Sequence, residues 1–420
     1  MIGIVSYKDQ TKEGDIRRLE SPAVLSVPLS ASLGKPAFPV VEPGERVLKN
    51  QLIGRADGIV SAHVHSPVSG IVLEIKTATN ISGKSETFIV LENDFREEAL
   101  QLSKSDIQTP RNFVNLLKDA GIVGAGGAQF PTHVKFPSET GKLKTFIING
   151  AECEPYLTAD FTLMKNRYRE LMQVVELIRK VYQPDKVVLA IEKRNKELRF
   201  VFEPYREICS VKLLPDSYPQ GSELQLIHSV TGMKLKKTQL PISKGVLVSN
   251  VGTLYGIYKA AFESIPFTER VVTVSGDNLK GAGNYWVKVG TPVRHVLASA
   301  GKISGWDNCH VVLGGPMMGV EVHRLDTPVS KGTSGVLALE KRPLEAYNCI
   351  QCGYCVDACP MGLMPMQFAV AYRENDLKAF EEYRLGQCIE CGACEYICPS
   401  NVPLIDSIKR GKQFILENHK

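Results

Sequence analysis

No stretch of this 420-residue sequence stays apolar for the ~18 positions that a membrane-spanning helix needs. The nearest approach, residues 245–262, is interrupted by Asn250, Lys259 and three glycines, and reads as a strand followed by a helix. The start, Met1-Ile2-Gly3-Ile4-Val5, meets Lys8 and Asp9 before an apolar signal core forms. Charge of one sign is also scarce. The 50 basic and 45 acidic residues leave +5, with only short basic clusters such as Lys234-Leu235-Lys236-Lys237, so nucleic acid is not an expected partner. The expectation is a cytoplasmic chain, with peripheral docking on the cytoplasmic face of the cell membrane left open. Two nucleotide fingerprints are missing as well. There is no Walker A motif. The glycine-rich Gly124-Ala125-Gly126-Gly127-Ala128 departs from G-x-G-x-x-G at Gln129 and follows a helical pattern instead of a strand.

What is present is an ordinary globular composition, 44% hydrophobic and 23% charged, long enough for about three domains at ~150 residues each. Residues 1–20 read as polar and irregular. Short apolar stretches broken by turns (Val24-Leu25-Ser26-Val27, Pro43-Gly44-Glu45, Leu52-Ile53-Gly54, Ser69-Gly70) predict a small all-β unit over residues 20–80. Its segment His65-Ser66-Pro67-Val68-Ser69-Gly70 resembles the turn of biotinyl/lipoyl-like sandwiches. No lysine stands beside that turn for cofactor attachment, so the unit reads as structural. Residues 93–108 read as a linker. Thr109-Pro110 opens a helix, residues 145–149 and 187–191 are strands, and 163–181 is one amphipathic helix between them. This βαβ pattern predicts an α/β domain with a parallel sheet over 108–265. Strands at 271–275, 285–289 and 310–313 with a helix at 292–300 predict a β-grasp-like domain over 268–335.

Eight of the 11 cysteines close the chain in duplicate, within 340–412. Cys349-Ile350-Gln351-Cys352-Gly353-Tyr354-Cys355-Val356-Asp357-Ala358-Cys359-Pro360 is repeated as Cys388-Ile389-Glu390-Cys391-Gly392-Ala393-Cys394-Glu395-Tyr396-Ile397-Cys398-Pro399. Both are C-x2-C-x2-C-x3-C-P, the two-cluster ferredoxin run, in which the fourth cysteine serves the other cluster. Cys349, Cys352, Cys355 and Cys398 are therefore expected to hold one [4Fe–4S] cluster, and Cys388, Cys391, Cys394 and Cys359 the second. Zinc, the alternative, uses C-x2-C pairs and has no need of the third and fourth cysteines. Cys209 and Cys309 read as packing residues; Cys153 lies in a polar loop and stays open.

Three glycines in four positions at 124–127 offer backbone N–H groups to a phosphate, with Phe130 as a stacking surface and Lys135 as a charge; a plain tight turn is the competing reading. Asn149-Gly150-Ala151-Glu152-Cys153-Glu154-Pro155 follows a strand, at the end where open α/β sheets bind ligands. Tyr218-Pro219-Gln220-Gly221-Ser222-Glu223 and Ser249-Asn250-Val251-Gly252-Thr253 are further polar turns.

Taken in order, these four segments resemble the flavin- and NADH-binding subunit of respiratory complex I. Over nearly the whole chain the sequence resembles the C subunits of Rnf electron-transport complexes, adding Glu152-Cys153-Glu154-Pro155-Tyr156-Leu157, Gly314-Gly315-Pro316-Met317-Met318-Gly319 and the double cysteine run. The resemblance implies a barrel-sandwich domain, a Rossmann-like FMN/NADH-binding domain, a soluble-ligand-binding (SLBB-like) β-grasp domain and a two-cluster ferredoxin domain. It implies that Gly124, Gly126, Gly127, Lys135, Asn149, Asn250 and Thr253 surround FMN. Phe130 and Glu154 would meet NADH, with Glu152 and Glu223 near the flavin–nicotinamide contact. The implied activity is NADH oxidation through FMN and two [4Fe–4S] clusters, with ferredoxin or another redox protein and membrane subunits as partners. The chain departs from the complex I pattern at Ala125, Ala151 and Ser222. Two other readings keep the same fold: a soluble NADH-dependent reductase serving proline reductase or a corrinoid, and a flavin-free two-cluster relay.

Overall fold

Alternation in Val24-Leu25-Ser26-Val27 turns Leu25 and Val27 inward and makes β1 (Val24–Pro28). The computed structural model describes all residues except 31–33, 82, 104–105, 342–344 and 419–420. β1 pairs with β3 (Ser85–Asn93), which pairs with β2 (Gly70–Thr79), and Arg46–Val47 closes that sheet. A second sheet of Phe38–Pro39, Leu52–Arg55 and Val64–His65 completes a sandwich around Leu25, Val27, Ile53, Val72, Ile89 and Leu91. The sandwich takes in β3 and so runs past the expected end at residue 80.

The α/β domain starts at α1 (Pro110–Asp119), where Thr109 caps the helix by accepting from the Asn112 N–H and proline occupies the first turn. β4 (Thr145–Gly150) leads to α2 (Ala159–Asn166) and α3 (Tyr168–Tyr182). The single helix expected over 163–181 is broken at Arg167 (φ −127°, ψ 27°). The break lets α2 pack on both the sheet's last helix and the next domain, while α3 packs on that last helix. β5 (Lys186–Glu192), β6 (Ser210–Leu214), α4 (Glu223–Thr231), β7 (Val246–Asn250) and α5 (Val251–Glu263) follow. All four strands are parallel, in the order β6-β5-β4-β7. The apolar runs of β4, β5 and β7 are buried on both faces, as parallel sheets require, whereas the edge strand β6 is only partly covered. The chain steps outward from β4 to β6, then returns to the other side of β4, so Asn149 and Asn250 lie in register across the reversal point.

β8 (Glu269–Ser275), β9 (Gly283–Lys288), α6 (Val293–Ala300), β10 (Cys309–Leu313) and β11 (Gly335–Glu340) build the third unit. Its mixed sheet runs Arg17–Arg18, β9, β8, β11, β10, Val320–Val322, and α6 buries Val293, Val296 and Leu297 against it. β11 starts at the expected boundary, 335, and runs past it, yet sits between β8 and β10. The N-terminal segment is not irregular either. Ile2 bridges to Tyr218, Asp9–Lys12 forms a helical turn, and Arg17–Arg18 is an edge strand. Each piece is too short to show periodicity; its partners lie more than 200 residues away or in the next domain. The C-terminal unit packs α8 (Pro365–Glu374; α7 is Tyr354–Ala358) and α10 (Leu404–Asn418; α9 is Ala393–Tyr396) around Leu363, Phe368, Phe380, Leu385 and Ile408. Among the described residues no helix is long and apolar enough to cross a membrane.

One buried side chain ties three of these parts together. Asn284 donates to the Thr11 carbonyl (3.0 Å) and to the hydroxyls of Thr158 (2.9 Å) and Thr162 (2.8 Å), and accepts from Thr273 (2.8 Å). Replacing it with leucine keeps the branching at Cγ and strands buried polar groups. Asn284→Leu is expected to lower stability by on the order of 2–4 kcal/mol, read as a lower urea midpoint at unchanged iron content.

Candidate functional site

At the reversal point between β4 and β7 a cleft of about 340 Å³ opens, within the range of small-molecule sites. One wall is the glycine loop. The Gly124 N–H donates to the Phe130 carbonyl (2.9 Å) and the Ala125 N–H to Thr253 Oγ1 (2.9 Å), which fixes the loop's base on α5. The loop tip, Gly126 to Ala128, is exposed. A side chain on Gly252 would press on Ala125 at 3.1 Å, so loop and helix touch closely. Asn250 caps α5 by accepting from the Gly252 N–H (2.8 Å). Exposed loop amides beside the N-terminus of a 13-residue helix are groups of the kind that can bind a phosphate. Lys135 adds positive charge; its Nζ donates to Glu223 Oε1 (2.7 Å) and the Val248 carbonyl (2.9 Å).

The opposite wall is the acidic loop after β4. Asn149 donates to the Gly221 carbonyl (2.8 Å) and accepts from the Ala151 N–H (3.1 Å). Position 221 must be glycine, because a Cβ there would lie 2.1 Å from the Ala151 oxygen. The Glu152 carboxylate accepts from the first amides of α2, Asp160 N (3.2 Å) and Phe161 N (3.4 Å). Burial, helped by the like charge of Asp160, pushes its pKa up to about 8. Glu154 accepts from the N–H groups of Met317 and Met318 (2.9 Å each), tying the Gly314-to-Gly319 turn to the cleft; burial pushes its pKa up to about 7. Beneath the loop, the buried Arg270 donates to the carbonyls of Ala125 (2.9 Å) and Lys331 (2.6 Å).

The two cysteine runs repeat each other's backbone. Gln351 and Glu390 (φ 57° and 56°) donate their N–H groups to Cys349 and Cys388 Sγ, both at 3.4 Å. Gly353 and Gly392 (φ 81° and 78°) start the short helices α7 and α9. Cys359, Cys388, Cys391 and Cys394 line one cavity, so the fourth cysteine of the first run joins the second run, as the spacing predicts. Burial raises the thiol pKa values of Cys388, Cys391 and Cys394, and Cys359 raises them further. Iron is what keeps such thiols ionised. On the other side, the turn after Cys398 is tied to the segment before Cys349: Tyr347 N–H donates to Ser400 O (2.8 Å) and Asn401 Nδ2 to Glu345 O (3.0 Å). The four-thiol cavity fits a cluster by its donor set.

These parts correspond to known families. The chain matches family models described as the RnfC barrel sandwich hybrid domain (residues 2–96), the Nuo51 FMN-binding domain (117–259), the SLBB domain (271–321) and a 4Fe-4S dicluster domain (348–402). It is 36% identical over 395 residues to the C subunit of the proton-translocating ferredoxin:NAD(+) oxidoreductase complex of Clostridium ljungdahlii, covering 90% of this chain and 85% of that one. The chain belongs to the RnfC family. The C subunit of the ion-translocating oxidoreductase complex of Haemophilus influenzae (strain PittEE) is 39% identical over 96% of this chain, and that of Pasteurella multocida 37% over 98%. This RnfC chain spans 64% and 50% of their lengths. The fold is also that of a chain of an NAD+-reducing [NiFe]-hydrogenase in its H2-reduced state, at TM-score 0.52 and 18% identity over 73% of this chain and 61% of that one.

Of the candidate cofactor residues, all but Gly127 line the cleft; Gly127 stands at the exposed loop tip with φ 103°. The side chains of Glu154 and Lys135 are already engaged by protein partners. Sequence reasoning missed Lys8, Asp160 and Arg270, whose only signal is burial, and left Tyr218 as a weak turn residue. Ile389, inside the second cysteine run, also lines the cleft.

Two outcomes are expected. Cys359→Ser should remove the cluster of the second run and spare that of Cys349, while Cys398→Ser should do the reverse. Iron content falls by about half in each, and spectra of the reduced proteins show which signal is lost. The pKa of Glu152 is raised on folding, so the folded chain holds a proton that the unfolded chain releases between about pH 4.5 and 8. Stability should fall as pH rises through that window. Glu152→Gln should flatten the fall, seen as a smaller drop in melting temperature between pH 6 and about pH 8.5.

Proposed function

We propose that this RnfC chain binds FMN in the cleft, oxidises NADH there, and passes the electrons through its two [4Fe–4S] clusters to a partner. The observation that carries this is a shared wall. Ile389 lines both the cleft and the cavity of Cys359, Cys388, Cys391 and Cys394. Tyr218, also in the cleft wall, donates its hydroxyl to the Cys391 carbonyl at 2.6 Å. When bound, FMN supplies the chemistry, taking a hydride (two electrons and one proton) from NADH and releasing the electrons singly.

The chain's residues do the rest. The Gly126 and Gly127 amides at the exposed loop tip, with the positive end of α5 and Lys135 nearby, bind the FMN phosphate in this reading; the Gly124 and Ala125 amides hold the base of the loop. Asn149, Asn250 and Thr253 supply polar groups at the strand ends. Phe130 is partly exposed at the cleft, available for stacking by an incoming nicotinamide nucleotide. Glu152 and Glu154 fix the loop that closes the far wall. Cys349 and Cys352 are exposed, whereas Cys391 and Cys394 are buried against the cleft side, so electrons entering at the cleft leave at the first run. Tyr347, Ile350 and Tyr354 are exposed beside that exit. In this reading the chain is the peripheral NADH-oxidising component of an Rnf-type ion-translocating complex. NADH enters at one face and a redox protein of the complex docks at the other.

Anaerobic titration of the cluster-containing protein tests this. Bound or added FMN should bleach with NADH, followed by reduction of the clusters or of an added acceptor. Absence of flavin, together with no response to NADH when FMN is supplied, would leave the two-cluster relay.

A further inference from the structure

Lys8 comes from the first turn of the chain, yet it is only 6% exposed and reaches under the floor of the cleft. Its Nζ donates to the Glu152 carbonyl and stands 3.7 Å from Glu192 Oε2, at the C-terminal end of β5. The segment that carries it is pinned on both sides. Ile2 and Tyr218 exchange both backbone hydrogen bonds (3.0 and 2.8 Å). Tyr7 stacks on Tyr156 with centroids 4.6 Å apart. The Thr158 hydroxyl donates to Thr11 (2.7 Å), and Lys12 forms an ion pair with Glu197 (2.7 Å). Ordering this strap therefore delivers one buried ammonium to a chosen place.

That place is otherwise acidic. Glu152, Glu154, Asp160 and Glu192 all surround the loop after β4, and the positive charge of Lys8 opposes the rise that burial imposes on each of them. Arg270 acts on Glu152 and Asp160 from the other side of the floor. Arg194 lies 3.6 Å from Glu192 but is shared with Asp216 at 3.3 Å. Lys8 directs its hydrogen bond to a neutral carbonyl, and its nearest carboxylate is beyond hydrogen-bond length. Its charge is shared among these carboxylates, Glu192 being the nearest, and in a buried site such a charge acts over several ångströms.

We infer that Lys8 is an electrostatic positioning residue of the cleft, holding the Glu152-to-Glu154 loop and supplying positive charge that favours the electron-rich state of the bound flavin. The inference rests on the FMN reading above. Reduction adds electrons to the ring; a buried cation beneath the cleft floor favours that state and carboxylates there oppose it. The phosphate cradle lies on the other wall, so the affinity for oxidised FMN depends little on Lys8.

The test compares the wild-type chain with Lys8→Met, Lys8→Arg and Glu192→Gln. FMN binding is measured by fluorescence quenching and the flavin midpoint by reductive titration. Lys8→Met should keep FMN affinity within about threefold and shift the NADH–flavin equilibrium about tenfold toward oxidised flavin, a midpoint drop of ~30 mV for a two-electron couple. Lys8→Arg should restore the midpoint. Glu192→Gln, which removes a neighbouring negative charge and leaves Lys8 in place, should move it the opposite way. An unchanged midpoint in Lys8→Met, or an equal drop in Lys8→Arg, overturns the inference and leaves the strap a structural tie. Should Lys8→Met not fold, an unshifted midpoint in Glu192→Gln overturns it alone. A wild-type chain that binds no FMN overturns the functional reading itself, and the inference with it; that result is distinct from a flavin-loaded chain indifferent to Lys8.

Discussion

The carboxyl ends of β4 and β7 lie side by side because the strand order reverses there, and that one topological constraint places everything else. The connection from β4 runs to one side of it and the chain returns to β7 on the other side by way of α4 on the opposite face, so no connection covers the gap between the two strand ends. Into the gap turn the N-terminus of α5, the glycine loop resting on it, and the acidic loop after β4. The register of Asn149 against Asn250 sets how wide the gap is. None of these groups is unusual alone. Their convergence on a single cleft is what makes a candidate cofactor site of them.

The other three domains are arranged around this gap. The Gly314-to-Gly319 turn of the grasp domain is drawn in by Glu154, and Gly315 has no room for a side chain because that carboxylate fills it. The ferredoxin unit docks at the rim through Tyr218 and through Lys237, whose Nζ donates to the Cys388 carbonyl at 2.7 Å. Gln225, on α4, donates to the Pro360 carbonyl at 3.4 Å. These contacts hold the second cysteine run against the cleft wall by hydrogen bonds to its backbone. The sulfurs stay free for iron.

Much of this was legible in the sequence, for physical reasons that differ by region. The cysteine spacing is a coordination rule, so Cys359 could be assigned to the far run without coordinates. The parallel strands announced themselves as apolar runs, and the glycine loop as a backbone that must come close to something. The strap at residues 1–18 was not legible. Its order comes from Tyr218, Tyr156 and Asn284, and no local pattern in a short polar segment reports partners that distant. Arg167 hid the break between α2 and α3 because both helices carry apolar residues at helical spacing. Asp160 and Arg270 were missed because a charged residue in a sequence looks the same whether it is solvated or buried. Glu154 was expected to meet NADH, and its side chain is found engaged with the Met317 and Met318 amides.

The two cysteine runs share ligands, spacing and backbone angles to within a few degrees, but not their surroundings. One lies with exposed thiols at the surface, and the other is enclosed between domains. A cluster gains negative charge on reduction, and water solvates that charge better than a protein interior does. Duplication alone would have made two equal redox stations. On the reading proposed above, unequal burial favours an electron on the outer station over the inner one, so the asymmetry of packing supplies a slope built from a symmetric motif.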